Sequence, residues 1–140
     1  MNQPDDTALI SAALTARSLA YTPYSHFNVG AAVLTASGRI FSGGNIENAS
    51  YPMTLCAERV ALVSAYAAGE RTIQALAVVT PTLDVASPCG ACRQVIFELA
   101  PHARIILLNL NGAVRYTTPA ELLPHGFGPT QLTEGEGSAS

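Results

Sequence analysis

Hydrophobic residues recur along this 140-residue chain with two different periods, one helical and one extended. Between residues 9 and 16 they share one helical face behind a cluster of acids, which predicts a first helix that ends near Tyr21. Residues 27–33 alternate in the manner of a strand, and Ser37-Gly38 predicts a turn back along residues 39–42. The chain therefore opens with a helix and a β-hairpin.

Two further helices are predicted from their capping residues. Thr54 is the expected N-cap of a helix that runs to about Ala68. Ser87 followed by Pro88 is the expected start of another helix, which stops before Pro101. All of the cysteines in the chain then lie in first helical turns.

The remaining strands are predicted from apolar runs. Residues 73–80 and 104–109 have the composition of buried strands, and the helix between them would set them parallel. Asn111-Gly112 predicts a tight turn back along residues 113–117, and the capping-box spacing of residues 118–121 predicts a short last helix. This order of elements predicts an α/β fold in which helices pack on the faces of a mixed five-stranded sheet.

The length of the chain suits one domain, residues 1–129. Residues 130–140 are polar and rich in Gly and Ser, and we expect them to form a flexible C-terminal tail. Hydrophobic residues make up 49% of the chain and charged residues only 12%. A domain of this size cannot bury so much apolar surface by itself, which predicts a homo-oligomer.

Charge and hydropathy exclude two classes of partner. The net charge is −3 and there is no basic run, whereas binding of nucleic acid needs a concentrated positive face. No apolar run approaches the roughly 20 residues that span a bilayer, and the N-terminus has no secretory signal pattern. We therefore expect a cytoplasmic protein that binds a small uncharged molecule, without a membrane or nucleic-acid partner.

The candidate chemistry lies in two short segments that hold all three cysteines. Cys89 and Cys92 are three positions apart, which in a helical turn places both side chains on one face, and Cys56 supplies a third thiolate. Three thiolates leave one position of a tetrahedral zinc ion open for a water molecule. Glu58 follows Cys56 by two positions and is the expected base beside that water.

The net charge of the zinc and its three thiolates also bears on the chemistry of this site. Three thiolates and Zn²⁺ sum to −1, and this excess negative charge opposes the ionisation of a bound water. A cation near the sulfurs would offset it. Arg59 and Arg93 each follow directly after a motif residue and are the candidates.

Two alternatives compete with a catalytic zinc site. Cys89 and Cys92 at a helix start also fit a thioredoxin-like redox pair, although such a pair has no need of Cys56 and Glu58. The zinc could instead be structural, with a histidine as its fourth ligand. The histidines of the chain, none of which has ligand spacing to a cysteine, are His26, His102 and His125.

The pattern cysteine-x-glutamate followed by proline-cysteine-x-x-cysteine is the zinc deaminase signature, with Cys56 in place of the usual histidine. From about residue 5 to residue 130 the chain closely resembles the small homotetrameric cytidine deaminases of pyrimidine salvage. Besides the two metal motifs, the segments that agree with this family are Pro23-Tyr24-Ser25-His26-Phe27, Val29-Gly30-Ala31-Ala32, Gly43-Gly44-Asn45-Ile46-Glu47-Asn48-Ala49 and Glu121-Leu122-Leu123-Pro124. The resemblance implies a three-layer α/β/α fold and a homotetramer that binds one zinc ion per subunit.

The resemblance also implies a role for individual residues. Cys56, Cys89 and Cys92 are the zinc ligands, and Glu58 is the catalytic proton carrier. The ring of Phe27 would stack on the pyrimidine, and Asn45 with Glu47 would bond the ribose hydroxyls. The Ala57 N–H would hold the base carbonyl, and the Ser87 carbonyl would accept from the amino group.

The family's sites are completed by neighbouring subunits, and Tyr51 and Phe127 match the positions that reach across. By the same resemblance Arg59 bonds the ligand sulfurs and offsets their charge. Gln94 is implied to support the network around Arg59.

The implied reaction is the hydrolytic deamination of cytidine and deoxycytidine to uridine and deoxyuridine by a zinc-activated water, with Glu58 moving the protons. A deaminase of a cytosine-bearing nucleoside antibiotic is the nearest alternative, because it would share the metal motifs and the Arg93-Gln94 pair. Asn45 and Glu47 favour recognition of plain ribose. The alternative from another class is the thiol oxidoreductase that would use Cys89 and Cys92.

Overall fold

A mixed five-stranded sheet forms the centre of the protein in a computed structural model that describes residues 6–133. Residues 1–5, which include Asp5 before the first predicted helix, and residues 134–140 of the predicted tail lie outside the described residues. The elements in chain order are α1 (Thr7–Arg17), β1 (Gly30–Thr35), β2 (Ile40–Gly44), a 3-10 turn (Tyr51–Met53), α2 (Ala57–Ala67), β3 (Ile73–Thr80), α3 (Gly90–Leu99), β4 (Arg104–Asn109), β5 (Val114–Thr117) and α4 (Pro119–Leu122).

The strands follow the order β2-β1-β3-β4-β5 across the sheet. β3 and β4 run parallel, and every other neighbouring pair is antiparallel. The prediction of a mixed sheet with a crossover helix between the two central strands is confirmed. β3 and β4 also have the predicted bounds, because both are buried almost throughout and their apolar runs end where burial ends.

Each face of the sheet is covered by helices, as the predicted three-layer α/β/α fold requires. On one face, α2, α3 and α4 pack against buried residues of the central strands, such as Val33, Leu76 and Leu107. On the other face, Leu9 and Ala13 of α1 pack against the alternate residues, such as Ala77. The period of two along the strands therefore divides the core into two layers.

The two cysteine-bearing helices begin later than their capping patterns predict. α2 starts at Ala57 with Cys56 as its N-cap, and α3 starts at Gly90 with Cys89 as its N-cap. The predictions that Thr54 and Ser87 cap these helices, and that Cys56 and Cys89 lie in first turns, are therefore wrong.

Both corrections have a backbone cause. Leu55 exchanges two hydrogen bonds with Ile46, at 2.8 and 2.9 Å, and this pairing keeps the chain extended before Cys56. Cys89 is itself extended, with ψ at 167°, which excludes a helix that starts at Pro88. Each cysteine is therefore the last extended residue before a helix.

The first helix is also shorter than predicted, because the chain after it is bonded to another segment. α1 ends at Arg17, and the Tyr21 N–H donates to the Asn45 carbonyl at 2.9 Å. The helix can lie this close because Gly44 has no side chain: a Cβ there would be 2.7 Å from the Ala16 carbonyl oxygen. This approach fixes residues 45–47 against the loop that follows α1.

The C-terminal part of the described chain follows the predicted capping pattern. The Thr118 hydroxyl accepts from the Glu121 N–H at 3.1 Å and caps α4. Residues 129–133 form a further helical turn where a flexible tail is predicted, and the Gln131 side chain accepts from the Gly128 N–H at 2.7 Å beside it.

None of the helices in the described part of the chain is long and apolar enough to span a membrane.

Candidate active site

The three cysteines form a compact cluster. Their Sγ atoms all lie within 4.8 Å of one another, and those of Cys56 and Cys89 are 3.9 Å apart. A tetrahedral zinc ion with Zn–S bonds of about 2.3 Å needs sulfurs about 3.8 Å apart, so this donor set fits zinc in both chemistry and spacing. Among residues 6–133 no histidine joins the cluster, which argues against a structural site completed by a histidine.

The cluster lies between two helix N-termini. Cys56 and Cys89 precede α2 and α3, and Cys92 is in the first turn of α3, where it is fully buried. The first N–H groups of a helix have no intrahelical partner and carry partial positive charge, which favours the thiolate over the thiol. The fold therefore aims two positive helix ends at the three sulfurs.

The surroundings of Cys56 and Cys92 shift the pKa values of the two thiols in opposite directions. A hydrogen bond from the Cys92 thiol, together with the Arg59 guanidinium, lowers the pKa of Cys56 to about 5. The same hydrogen bond and burial raise the pKa of Cys92 well above its usual range. The Cys56 thiolate is thus stabilised by a neighbouring thiol and by a cationic side chain.

Of the two candidate arginines, only Arg59 meets a sulfur. Its Nη2 atom lies 3.7 Å from Cys56 Sγ and 3.1 Å from the Thr54 carbonyl oxygen. The hydrogen bond to Cys56 raises the pKa of Arg59, as expected for a cation beside a thiolate. Arg93 instead donates to the carbonyls of Pro88 and Leu122, at 2.7 and 2.9 Å, and ties α4 to the start of α3.

Glu58 is a buried carboxyl group beside these sulfurs. Only 5% of the residue is exposed, and burial, reinforced by the negative charge of Cys56, raises its pKa to about 7. A carboxyl group with this pKa can accept and return a proton at neutral pH. Glu58 thus adds a proton-exchanging group beside the metal cluster.

A cavity of about 330 Å³ opens next to the cluster. Most of the residues predicted for the substrate site line it, including Phe27, Asn45, Ala57 and Ser87. The full lining consists of Phe27, Val29, Asn45, Cys56, Ala57, Glu58, Thr80, Ala86, Ser87, Pro88 and Cys89. Phe27, which is 43% exposed, thus lines the same cavity as the Glu58 carboxyl group and two of the three thiols.

Sequence reasoning missed several wall residues of this cavity, among them Val29 and Thr80. Thr80 ends β3, a parallel strand, and a polar residue at the carboxyl end of such a strand is a signal that could have identified it. The loop between Thr80 and Ser87 is held by Asn109, which donates to the Leu83 carbonyl at 3.0 Å. Nothing in the local sequence marks Asn109 for that contact.

Glu47 and Tyr51 lie in a neighbouring cavity, also of about 330 Å³, with Tyr24, Ser25 and Thr54. The rings of Tyr24 and Tyr51 meet edge to face, with their centroids 5.8 Å apart. Tyr51 is 70% exposed. The predicted sugar-binding residues therefore divide between two adjoining cavities, with Asn45 in the first and Glu47 in the second.

Phe127 and Gln94 lie outside both of these cavities in the described chain. Gln94 donates from Nε2 to the Phe127 carbonyl at 2.8 Å, and Phe127 is 56% exposed. The hydrogen bond that the structure gives Gln94 therefore holds the C-terminal loop, and not the Arg59 network to which the sequence assigned it. The ring of Phe127 is left free for a contact outside the chain.

Comparison with known proteins agrees with this geometry. Residues 3–108 match the family described as the cytidine and deoxycytidylate deaminase zinc-binding region. Cytidine deaminase from Halalkalibacterium halodurans is 51% identical over 124 residues, which cover 88% of this chain and 94% of the relative. Cytidine deaminase from Sporosarcina psychrophila is 48% identical over 130 residues, which cover 92% and 96%.

Solved structures give the same result. The crystal structure of cytidine deaminase from Burkholderia pseudomallei matches with a TM-score of 0.86 and 51% identity, over 89% of this chain and 100% of that one. The crystal structure of cytidine deaminase from Mycobacterium tuberculosis matches with a TM-score of 0.78 and 39% identity, over 90% and 99%. These comparisons favour neither a redox protein nor a deaminase of antibiotics.

Proposed function

The chain belongs to the cytidine and deoxycytidylate deaminase family, and we propose that it hydrolyses cytidine to uridine, and deoxycytidine to deoxyuridine, in pyrimidine salvage. It is a zinc-dependent hydrolytic deaminase. The observation that carries the proposal is a single cavity lined by a buried carboxyl group, two of the three clustered thiols and an aromatic ring.

Cys56, Cys89 and Cys92 would hold the zinc ion. Zinc bound there supplies an open coordination position and lowers the pKa of a water molecule in it. Arg59 offsets the excess negative charge of three thiolates, as its contact with Cys56 Sγ indicates.

Glu58 moves the proton. No other acidic side chain among the described residues lines the cavity, and its raised pKa, about 7, suits repeated proton transfer at neutral pH. We assign it two proton transfers. The first takes a proton from the attacking water to the ring nitrogen N3 of cytosine as the water oxygen bonds to C4. The second takes the remaining proton of that oxygen to the amino group as the C4–N bond breaks, which leaves a carbonyl at C4 and releases ammonia. Burial serves this role because it excludes the bulk water that would otherwise exchange the proton.

The base and sugar are bound by groups of complementary chemistry. The ring of Phe27 offers a face for the pyrimidine, the Ala57 N–H a donor for the base carbonyl, and the Ser87 carbonyl an acceptor for the amino group. Asn45 and Glu47 bind the sugar hydroxyls. Neither Arg nor Lys from the described residues lines this cavity, which suits an uncharged nucleoside better than a nucleotide or a nucleic acid.

The working unit is a homotetramer in the cytoplasm. Tyr51 and Phe127 support association, because they expose 70% and 56% of their surface and suit contact with a neighbouring subunit. A reduced three-thiol site suits the reducing interior of a cell.

The test is an ultraviolet assay of cytidine and deoxycytidine, with zinc analysis and a native mass on the same preparation. We expect turnover of both nucleosides, one zinc ion per chain, and a mass four times that of the 14.5 kDa chain. A zinc-loaded protein that turns over neither would refute the proposal. Preference for a cytosine-bearing antibiotic would refute plain nucleosides as the substrates, and a monomer would refute the tetramer alone.

A further inference from the structure

The loop of residues 22–29, which carries Phe27, is held by side chains from the segment after β2. Asn45 accepts from the Val29 N–H through Oδ1 at 2.9 Å and donates from Nδ2 to the Phe27 carbonyl at 2.8 Å. Glu47 accepts at Oε1 from the N–H groups of Tyr24 and Ser25, at 3.0 and 3.2 Å. The residues proposed to bind the sugar therefore also position the loop that carries the stacking ring.

Ser25 joins these two functions through one hydroxyl group. Its Oγ donates to Glu47 Oε2 and accepts from the Phe27 N–H at 3.0 Å. The main chain of Phe27 is thus connected to the carboxylate of Glu47 by two consecutive hydrogen bonds. The hydrogen bond from the Ser25 hydroxyl is the largest cause of the lowered pKa of Glu47.

We propose that Ser25 is a positioning residue that couples recognition of the sugar hydroxyls by Glu47 to the placement of the Phe27 ring on the base. The inference rests on the proposed nucleoside deaminase function. A carboxylate has about four acceptor sites, and Tyr24 and Ser25 fill three of those on Glu47, which leaves one for a sugar hydroxyl. Because Ser25 Oγ fixes the carboxylate's rotation, it determines where that remaining site points.

The coupling acts in both directions. A hydroxyl that accepts from an N–H becomes a stronger donor, so an ordered Phe27 main chain strengthens the orientation of Glu47. A sugar hydroxyl bound to Glu47 in turn holds the carboxylate, Ser25 and the Phe27 amide in one arrangement. The enzyme then binds a nucleoside more tightly than the separate contacts with base and sugar would give.

The experiment compares inhibition of cytidine turnover by uridine and by 2′,3′-dideoxyuridine, which lacks the 2′- and 3′-hydroxyls. In Ser25→Ala we expect the inhibition constant of uridine to rise about tenfold, and that of the dideoxy compound about twofold, because a hydrogen bond to a charged group is lost only with the first. The kcat for cytidine stays within about twofold, since the residue does not touch the reacting atoms. Inhibition constants do not depend on the active fraction of the sample.

Two variants serve as controls. Ser37→Ala removes another exposed serine that donates to a glutamate, Glu70, at 2.8 Å, far from the site, and should leave both inhibition constants unchanged. Ser25→Thr keeps a hydroxyl group and should restore the wild-type ratio of the two constants. In a Phe27→Leu background, Ser25→Ala should change the dideoxyuridine constant by less than in the wild type, because the ring that it positions is gone.

Equal rises of both constants in Ser25→Ala, failure of Ser25→Thr to restore the ratio, or loss of kcat would each overturn the proposal. Failure of the wild-type protein to deaminate cytidine would instead refute the proposed function. The two failures are therefore distinguishable in one set of measurements.

Discussion

The metal end of the site, around the three cysteines, and its sugar end, around Phe27, Glu47 and Tyr51, are built in opposite ways. At the metal end, Cys92 is fully buried and Glu58 is 5% exposed, and both belong to the first turns of helices packed on the sheet. At the sugar end, Phe27 is 43% and Tyr51 70% exposed, and the loop of Phe27 is held by side-chain hydrogen bonds with Asn45. The metal end thus draws on packed helices, whereas the sugar end leaves aromatic surface exposed.

The difference in burial predicts a difference in sensitivity. A charge or hydrogen bond that is shielded from water contributes several times more than the same interaction at the surface. Substitutions at the metal end should therefore act on the rate and on zinc binding, and those at the sugar end on binding of the substrate. The following predictions test this division in order of expected effect.

Glu58→Gln should have the largest effect. The amide fills the same space but cannot carry a proton, and loss of general acid–base catalysis lowers kcat by roughly 10⁴-fold. Zinc analysis should give the wild-type metal content, since Glu58 is not one of the clustered thiol ligands. Glu70→Gln is the matched control, because this carboxylate lies in the loop between α2 and β3 and contacts the β1–β2 turn. A thiol oxidoreductase would keep its activity in Glu58→Gln.

Arg59→Ala should weaken zinc binding. Removal of the guanidinium that lies 3.7 Å from Cys56 Sγ leaves the charge of the thiolates uncompensated, and loss of such a supporting contact lowers metal affinity by roughly 10 to 100-fold. Competition with a chromophoric chelator measures this change. Arg39→Ala removes an exposed arginine and should leave the affinity unaltered. Equal zinc affinity in both variants would contradict the charge-balancing role.

Gly44→Ala tests the support behind the sugar end. The added Cβ would meet Ala20 Cα at 2.8 Å, and such overpacking costs about 2 kcal/mol of the free energy of unfolding. Denaturant unfolding measures it. Gly128→Ala places its Cβ at the ordinary distance of 3.4 Å from Phe97 and should cost far less. Similar losses in the two variants would show that the close approach of α1 is unimportant.

Phe27→Leu should have the smallest effect, and one of a different kind. Loss of the stacking face at a half-exposed position should raise KM roughly tenfold while kcat changes by less than about twofold. Phe41→Leu, on β2 outside the cavity, should leave KM unchanged. A large fall in kcat for Phe27→Leu would contradict the prediction that substitutions at the sugar end act on substrate binding and not on the rate.

The sequence predicted features whose cause is local and left out those whose cause is distant. β3 and β4 were predictable because a buried strand is apolar along its whole length, and the cysteine spacing identified the metal cluster. The start of α2 was not, because it depends on the pairing of Leu55 with Ile46. The contact of Gln94 with Phe127 and the contact of Ser25 with Glu47 likewise join residues that are distant along the chain.

The pairing of Ile46 with both Tyr21 and Leu55 constrains how this chain can change length. Glu47 follows directly after Ile46, and Cys56 directly after Leu55. A residue inserted between Ile46 and Glu47, or between Leu55 and Cys56, would shift a functional side chain relative to the paired residue before it. The exposed turn around Gly38 could lengthen without moving either side chain. Insertions and deletions within the family should therefore accumulate in that turn and avoid the two junctions.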